Sequence, residues 1–206
     1  MKKFNSLEFI NRFAACGGIS AGATFDCDNP VQPGMIPRVW MANKSDIESL
    51  TFGTNSSVIT AITMKSGGAF YVFDGYRQSV NAETAFIPQT VSSGYDHVLN
   101  IQVFEIDSTQ KLNLEKMALS KMVAIIENQN TVGNGDSVFE VFGGGVGMEV
   151  ETLTRINRDT ETAGSFSVGL KTSDDEGKEA KLPLSFFDTD YATTLAKIVA
   201  LETPAP

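Results

Sequence analysis

From residue 37 onward the chain is dominated by short alternations of apolar and polar side chains. Leu99, Ile101 and Val103 alternate with Asn100 and Gln102; Val146, Met148 and Val150 with Gly147, Glu149 and Glu151; Phe166, Val168 and Leu170 with Ser165, Ser167, Gly169 and Lys171. A period of two puts like side chains on one face of a pleated chain, so each segment predicts a strand with one wet face. Ala69–Phe73 and Met122–Ile126 are apolar without interruption and read as central strands covered on both faces. Ser66-Gly67-Gly68 predicts a hairpin between Val58–Lys65 and Ala69–Asp74. Gly133-Asn134-Gly135-Asp136 predicts another, between the strand ending near Glu127 and Ser137–Phe142.

Two segments switch to helical spacing. With Asp107 or Ser108 as N-cap, Thr109–Ser120 aligns Leu114, Met117 and Ala118. With Asp188 or Thr189 as N-cap, Asp190–Leu201 aligns Tyr191, Leu195, Ile198 and Val199. Both stripes are expected to pack on the sheet. The fold class that follows is mainly β (α+β): an antiparallel β-sandwich or half-barrel with one flanking helix and a C-terminal helix. No repeat of about 20 to 50 residues is visible, which argues against solenoids and propellers.

Ahead of the strands, Phe4, Leu7, Ile10 and Phe13 fall at helical spacing, as in a short amphipathic helix or an arm that docks on a neighbour. Met1-Lys2-Lys3 followed by Phe13-Ala14-Ala15-Cys16 has the outline of a lipoprotein signal, but Asn5, Glu8, Asn11 and Arg12 interrupt its apolar stretch. Residues 14–36 carry Gly17-Gly18, Gly22, Pro30, Pro33 and Gly34, which is linker chemistry. The expected organisation is an arm and linker over 1–36, a β-rich domain over 37–201 and a disordered tail over 202–206.

Composition narrows the chemistry. The 206 residues hold 25 acids against 16 bases, a net charge of −9, and the bases never gather into a run that grips phosphates. Tight wrapping of nucleic acid is therefore not expected. No stretch approaches the roughly 18 to 20 apolar residues of a membrane helix. The single histidine, His97, rules out a multi-His metal cage and leaves one conceivable nucleophile–His dyad. Beside Asp96 near a strand start, it reads as a surface or edge histidine.

Gly143-Gly144-Gly145-Val146-Gly147 has the look of a phosphate cradle, but it lies between two strands with no helix N-terminus behind it, so it reads as a Gly-rich turn or bulge. Gly177-Lys178 lacks the rest of a Walker motif and belongs to a charged hairpin tip with Ser173-Asp174-Asp175-Glu176, read as a solvated loop. Cys16 and Cys27 read as reduced thiols rather than a bridge. No nucleophile, base and oxyanion donor converge, so the sequence predicts neither an enzyme nor a cofactor.

Further residues carry a likeness: Cys27-Asp28-Asn29-Pro30, Arg38-Val39-Trp40-Met41-Ala42-Asn43-Lys44-Ser45-Asp46-Ile47, Phe139-Glu140-Val141-Phe142-Gly143, Thr160-Glu161-Thr162-Ala163-Gly164-Ser165-Phe166 and Phe186-Phe187-Asp188-Thr189-Asp190-Tyr191. Together they resemble the tail-tube-like and ring structural proteins of tailed bacteriophages, above all the crAss-like phages infecting Bacteroides, over most of residues 27 to 195. The resemblance implies a homo-oligomeric ring of six or twelve subunits, lining a channel for DNA passage in a tail or head-tail connector. It also implies neighbouring tail proteins as partners and a place in the virion after synthesis in the host bacterial cytoplasm. The hairpin that locks successive rings in such proteins would correspond to Gln78–Ser93, where Pro88 interrupts it; a single ring is therefore favoured over a long tube.

A channel wall should not hold phosphate. Glu149 and Glu151, on the wet face of their strand with no base between them, are the candidate lumen-facing residues. Phe4, Leu7, Ile10 and Phe13 are the candidate inter-subunit arm. Two other classes share this profile: a capsid accessory or decoration protein, and a carbohydrate- or ligand-binding β-sandwich with Trp40, Tyr71, Tyr76 and Tyr95 as a stacking platform.

Overall fold

The computed structural model describes residues 21–23, 33–89, 93–129, 135–173 and 177–205. The chain divides into two compact units, residues 1–30 and 31–206. In the first, the described residues 21–23 are exposed and without regular structure. The arm residues Phe4, Leu7, Ile10 and Phe13 and both cysteines lie outside the described residues. Every element below belongs to the second unit.

Its strands are β1 (Met35–Asn43), β2 (Ile47–Phe52), β3 (Val58–Met64), β4 (Tyr71–Asp74), β5 (Val80–Ile87), β6 (Gly94–Val103), β7 (Met122–Asn128), β8 (Phe139–Phe142), β9 (Met148–Arg155), β10 (Phe166–Thr172) and β11 (Leu184–Phe186). The helices are α1 (Ser108–Met117) and α2 (Tyr191–Ala200). The strands form one open sheet in the order β2-β3-β11-β8-β7-β9-β10-β6-β5, with β1 on β7 and β4 on β1. All pairings are antiparallel except β3 with β11. The sheet is mixed, because β3 and β11 run parallel, and it stays open; the fold is mainly β (α+β) and consistent with a sandwich.

The sandwich arises because β7 meets β9 only at Met122 and Met148. Beyond that point β9, β10, β6 and β5 lie over one face of β1 and β7. Leu99, Ile101, Val168 and Leu170 pack there with Val39, Met41, Ala124 and Ile126, and Leu114 and Met117 of α1 seal the end. The opposite face of β1 and β7 presents Trp40, Ala42, Val123 and Ile125 to a second core, closed by Phe139, Val141, Phe186 and Ile198 of α2. Covered on both sides, β7 has the unbroken apolar run expected of a central strand.

The other apolar run behaves differently. Ala69 and Phe70 are buried, but β4 pairs only with β1, is four residues long, and exposes Tyr71 and Val72. The expected hairpin through Ser66-Gly67-Gly68 does not form. Gly67 N–H donates instead to Ala205 O, Phe70 N–H to Leu201 O, and Ala205 N–H to Gly68 O. The bonds that would have joined β3 to β4 go to the C-terminal segment, and Trp40 Nε1 donates to the Glu202 carboxylate at 2.9 Å. Residues 202–205, read from the sequence as a tail, are tied down by these contacts.

Both helices sit where expected with shifted ends. Asp107 caps α1 and Asp190 caps α2, each carboxylate accepting the N–H three residues on. Asp188 and Thr189 precede the cap of α2, because Thr194 Oγ1 accepts the Asp188 N–H and holds that residue outside the helix. Ala118, Tyr191 and Val199 are exposed; Leu114, Met117 and Ile198 carry the packing.

Candidate functional site

The loop between β8 and β9 is a carboxylate seat. Gly145 N–H lies 3.0 and 3.1 Å from the two Glu179 carboxylate oxygens, and Val146 and Gly147 N–H lie 2.8 and 3.3 Å from one of them. Successive amides turned toward one point form an anion nest, and Glu179, only 4% exposed, fills it from within the chain. Glu179 is held there by a two-way backbone pairing with Tyr95. The glycines are required. Gly143 has φ +69°, and a Cβ on it would stand 2.8 Å from the Met122 carbonyl; a Cβ on Gly145 would collide with the Glu179 carboxylate.

His97 lies directly beneath. It is 2% exposed, so the expectation of a surface or edge histidine is overturned: its side chain points to the interior, edge-on to Phe142 at 5.3 Å. Its Nδ1 accepts the Gly143 N–H at 3.1 Å, which places the proton on Nε2, and Nε2–H donates to the Lys181 carbonyl at 3.0 Å. Burial pushes the imidazole pKa below its ordinary 6.5, opposed by Glu179, the Lys181 carbonyl and Asp96. With both ring nitrogens engaged in neutral hydrogen bonds, this side chain has no free lone pair to act as a base.

Charges around the seat are matched. Lys178 Nζ lies 2.7 Å from Asp96, and Lys171 Nζ lies 3.7 Å from the same carboxylate. Lys44 Nζ donates to the Gly144 carbonyl, and burial lowers its pKa against the pull of Glu179. The cluster therefore clips residues 177–183 onto β6, β8 and the Gly loop. It positions the strand that follows, β11, between β3 and β8. Its chemistry is cohesion of the fold. Among the described residues no group of three or more His, Cys, Asp and Glu side chains is arranged to hold a metal.

Glu149 and Glu151 both lie on β9, which among the described residues has no strand partner beyond Met148 but β10. No base lies between them in the sequence, but two lysines approach them from other elements. Lys121 Nζ stands 3.5 Å from Glu149, and Lys171 Nζ stands 4.0 Å from Glu151. These lysines come from the end of the α1 loop and from β10, remote in sequence, so alternation within β9 gave no sign of them. Val146 is half-buried and precedes the strand, which begins at Met148.

The aromatic platform is not assembled. Trp40 is 1% exposed inside a core, edge-on to Phe139, whereas Tyr71 and Tyr76 are open to solvent and Tyr95 contacts Phe86 at 5.5 Å. What the surface does offer is strand edges. Among the described residues β2, β4, β5 and β9 beyond Met148 each have one side unpaired. Comparison of the chain with protein-family models, with curated proteins and with solved structures finds no match.

Proposed function

We propose that this chain is a non-catalytic structural subunit of a tailed-phage virion, assembling into an oligomeric ring of the tail or head-tail connector through which DNA passes. The observation that carries the assembly reading is the open sheet. Unpaired strand edges are templates for association, and subunits repeated around an axis use them. Exposed Tyr71 and Val72 lie on one of these edges, where contact with a neighbour would remove apolar surface from water. The tail, the channel and the ring of six or twelve rest on the resemblance in the motifs quoted above. In this reading neighbouring tail proteins flank the ring, and the genome slides past an acidic subunit that does not grip it.

Native mass spectrometry of the purified protein over a range of concentrations tests the proposal. A closed species of six or twelve subunits is expected. A 22 kDa monomer at every concentration, with and without virion partners, would overturn it.

A further inference from the structure

The four edges left unpaired among the described residues are not alike. β4 is only four residues long, and β2 is broken by two register shifts against β3. β9 has a register shift against β10 and carries Glu149, Glu151 and Arg155. Short length, bulges and charges weaken continuous backbone pairing along an edge, which leaves β2, β4 and β9 to side-chain contacts with neighbours. β5 has none of the first two and a single charge, Glu83. It runs eight residues against β6 without a register shift, from Val80 opposite Ile101 to Ile87 opposite Gly94.

The hydrogen bonds of β6 show which β5 residues face outward. His97 N–H donates to Thr172 Oγ1, and Tyr95 exchanges both backbone bonds with Glu179. These residues stand opposite Thr84 and Phe86. On the other parity, Gln102 N–H donates to Ser79 O at the head of the strand. Since antiparallel partners alternate between bonded and non-bonded pairs, Asn81, Glu83, Ala85 and Ile87 bond to β6. Val80, Ala82, Thr84 and Phe86 turn their N–H and C=O groups to the free side.

We infer that β5 is a self-pairing edge: it takes β5 of a second copy of this chain, antiparallel, about a two-fold axis at Thr84. A two-fold pairing keeps like faces together, so only residues of the same parity can oppose. Centred on Glu83, it would set Glu83 against Glu83 of the second copy. Centred on Thr84, it sets Thr84 on Thr84 as a bonded pair, Ala82 opposite Phe86, and Glu83 opposite Ala85, with no like charges facing. Phe86, 57% exposed, then covers a small residue, and the outward groups of Ala82, Thr84 and Phe86 all find partners. This contact is separate from ring closure; within a ring it would join one ring to a second, back to back.

Bonded antiparallel partners have Cα atoms about 5.5 Å apart, within disulfide range. The test is Thr84→Cys in the full chain with Cys16→Ser and Cys27→Ser, under mild oxidation and read on a non-reducing gel. Asn81→Cys in the same background is the control, since its two copies would lie about 20 Å apart along the strands. At least about ten-fold more cross-linked dimer is expected from Thr84→Cys. Thr84→Pro removes only an outward N–H, and should weaken self-association by about ten-fold or more with an unchanged circular dichroism spectrum. Equal cross-linking of the two cysteine variants, or self-association unaffected by Thr84→Pro, overturns the inference. A ring of six or twelve in which Thr84→Cys does not cross-link overturns it and leaves the ring standing. A cross-linked species that never exceeds two subunits keeps it and removes the ring.

Discussion

A neutral imidazole that accepts from the Gly143 amide and donates to the Lys181 carbonyl has no place for a second proton, since protonating Nδ1 turns an acceptor toward a donor. Burial holds the folded pKa of His97 below the ordinary 6.5, so the unfolded chain binds the proton more readily. Stability contributed by the neutral ring is complete above about pH 6.5 and falls as pH drops below it, by up to about 1.4 kcal/mol per pH unit until folded His97 itself protonates. Calorimetric melting temperatures should therefore fall between about pH 7 and pH 5, and this slope should flatten in His97→Gln, which keeps a donor and an acceptor but does not titrate. Equal slopes in the two proteins would mean that another group controls the window.

The C-terminal segment shows how an element can be decided by contacts far away in sequence. Gly67, Gly68 and Phe70 bond to residues 201–205, and the indole of Trp40 bonds to Glu202. Removing residues 202–206 strands a buried indole N–H and two loop amide groups. The expected loss is about 2 to 4 kcal/mol in urea unfolding. Because Trp40 is the only tryptophan in the chain, its emission reports the same event, and it should shift to the red as water reaches the indole. Unchanged emission and stability in the truncated protein would show that these bonds contribute nothing. Glu202→Gln, which keeps an acceptor, should fall between the truncated and the intact protein.

For the ring proposed above, the sharpest question is whether β9 lines its channel. Lys121 and Lys171 stand 3.5 and 4.0 Å from Glu149 and Glu151, so the face that carries these candidates is of mixed charge. Exchanging both glutamates for lysine turns it uniformly basic. Exposed pairs of this kind contribute little, so stability should change by less than about 1 kcal/mol. On the proposed virion reading, if the face lies on the path of the genome, phage carrying both substitutions should eject DNA more slowly, because phosphate would then be held. Ejection at the normal rate would place β9 outside the channel.

Strand alternation, the uninterrupted apolar run of β7 and the two helical stripes were legible in the sequence, because each reports which face of a local element meets the core. So were the Gly-rich loop as a special backbone and the β7–β8 hairpin. The edge position of β4, the burial of His97, the lysines beside Glu149 and Glu151 and the occupant of the Gly nest were not. Glu179 lies 32 residues beyond Gly147, just after a stretch that reads as solvated, and the pairing of its backbone with Tyr95 brings its carboxylate to the loop. A local pattern records whether a side chain avoids water. Which partner a backbone amide or a charge finds depends on loop closure over tens of residues, and no short-range periodicity encodes that.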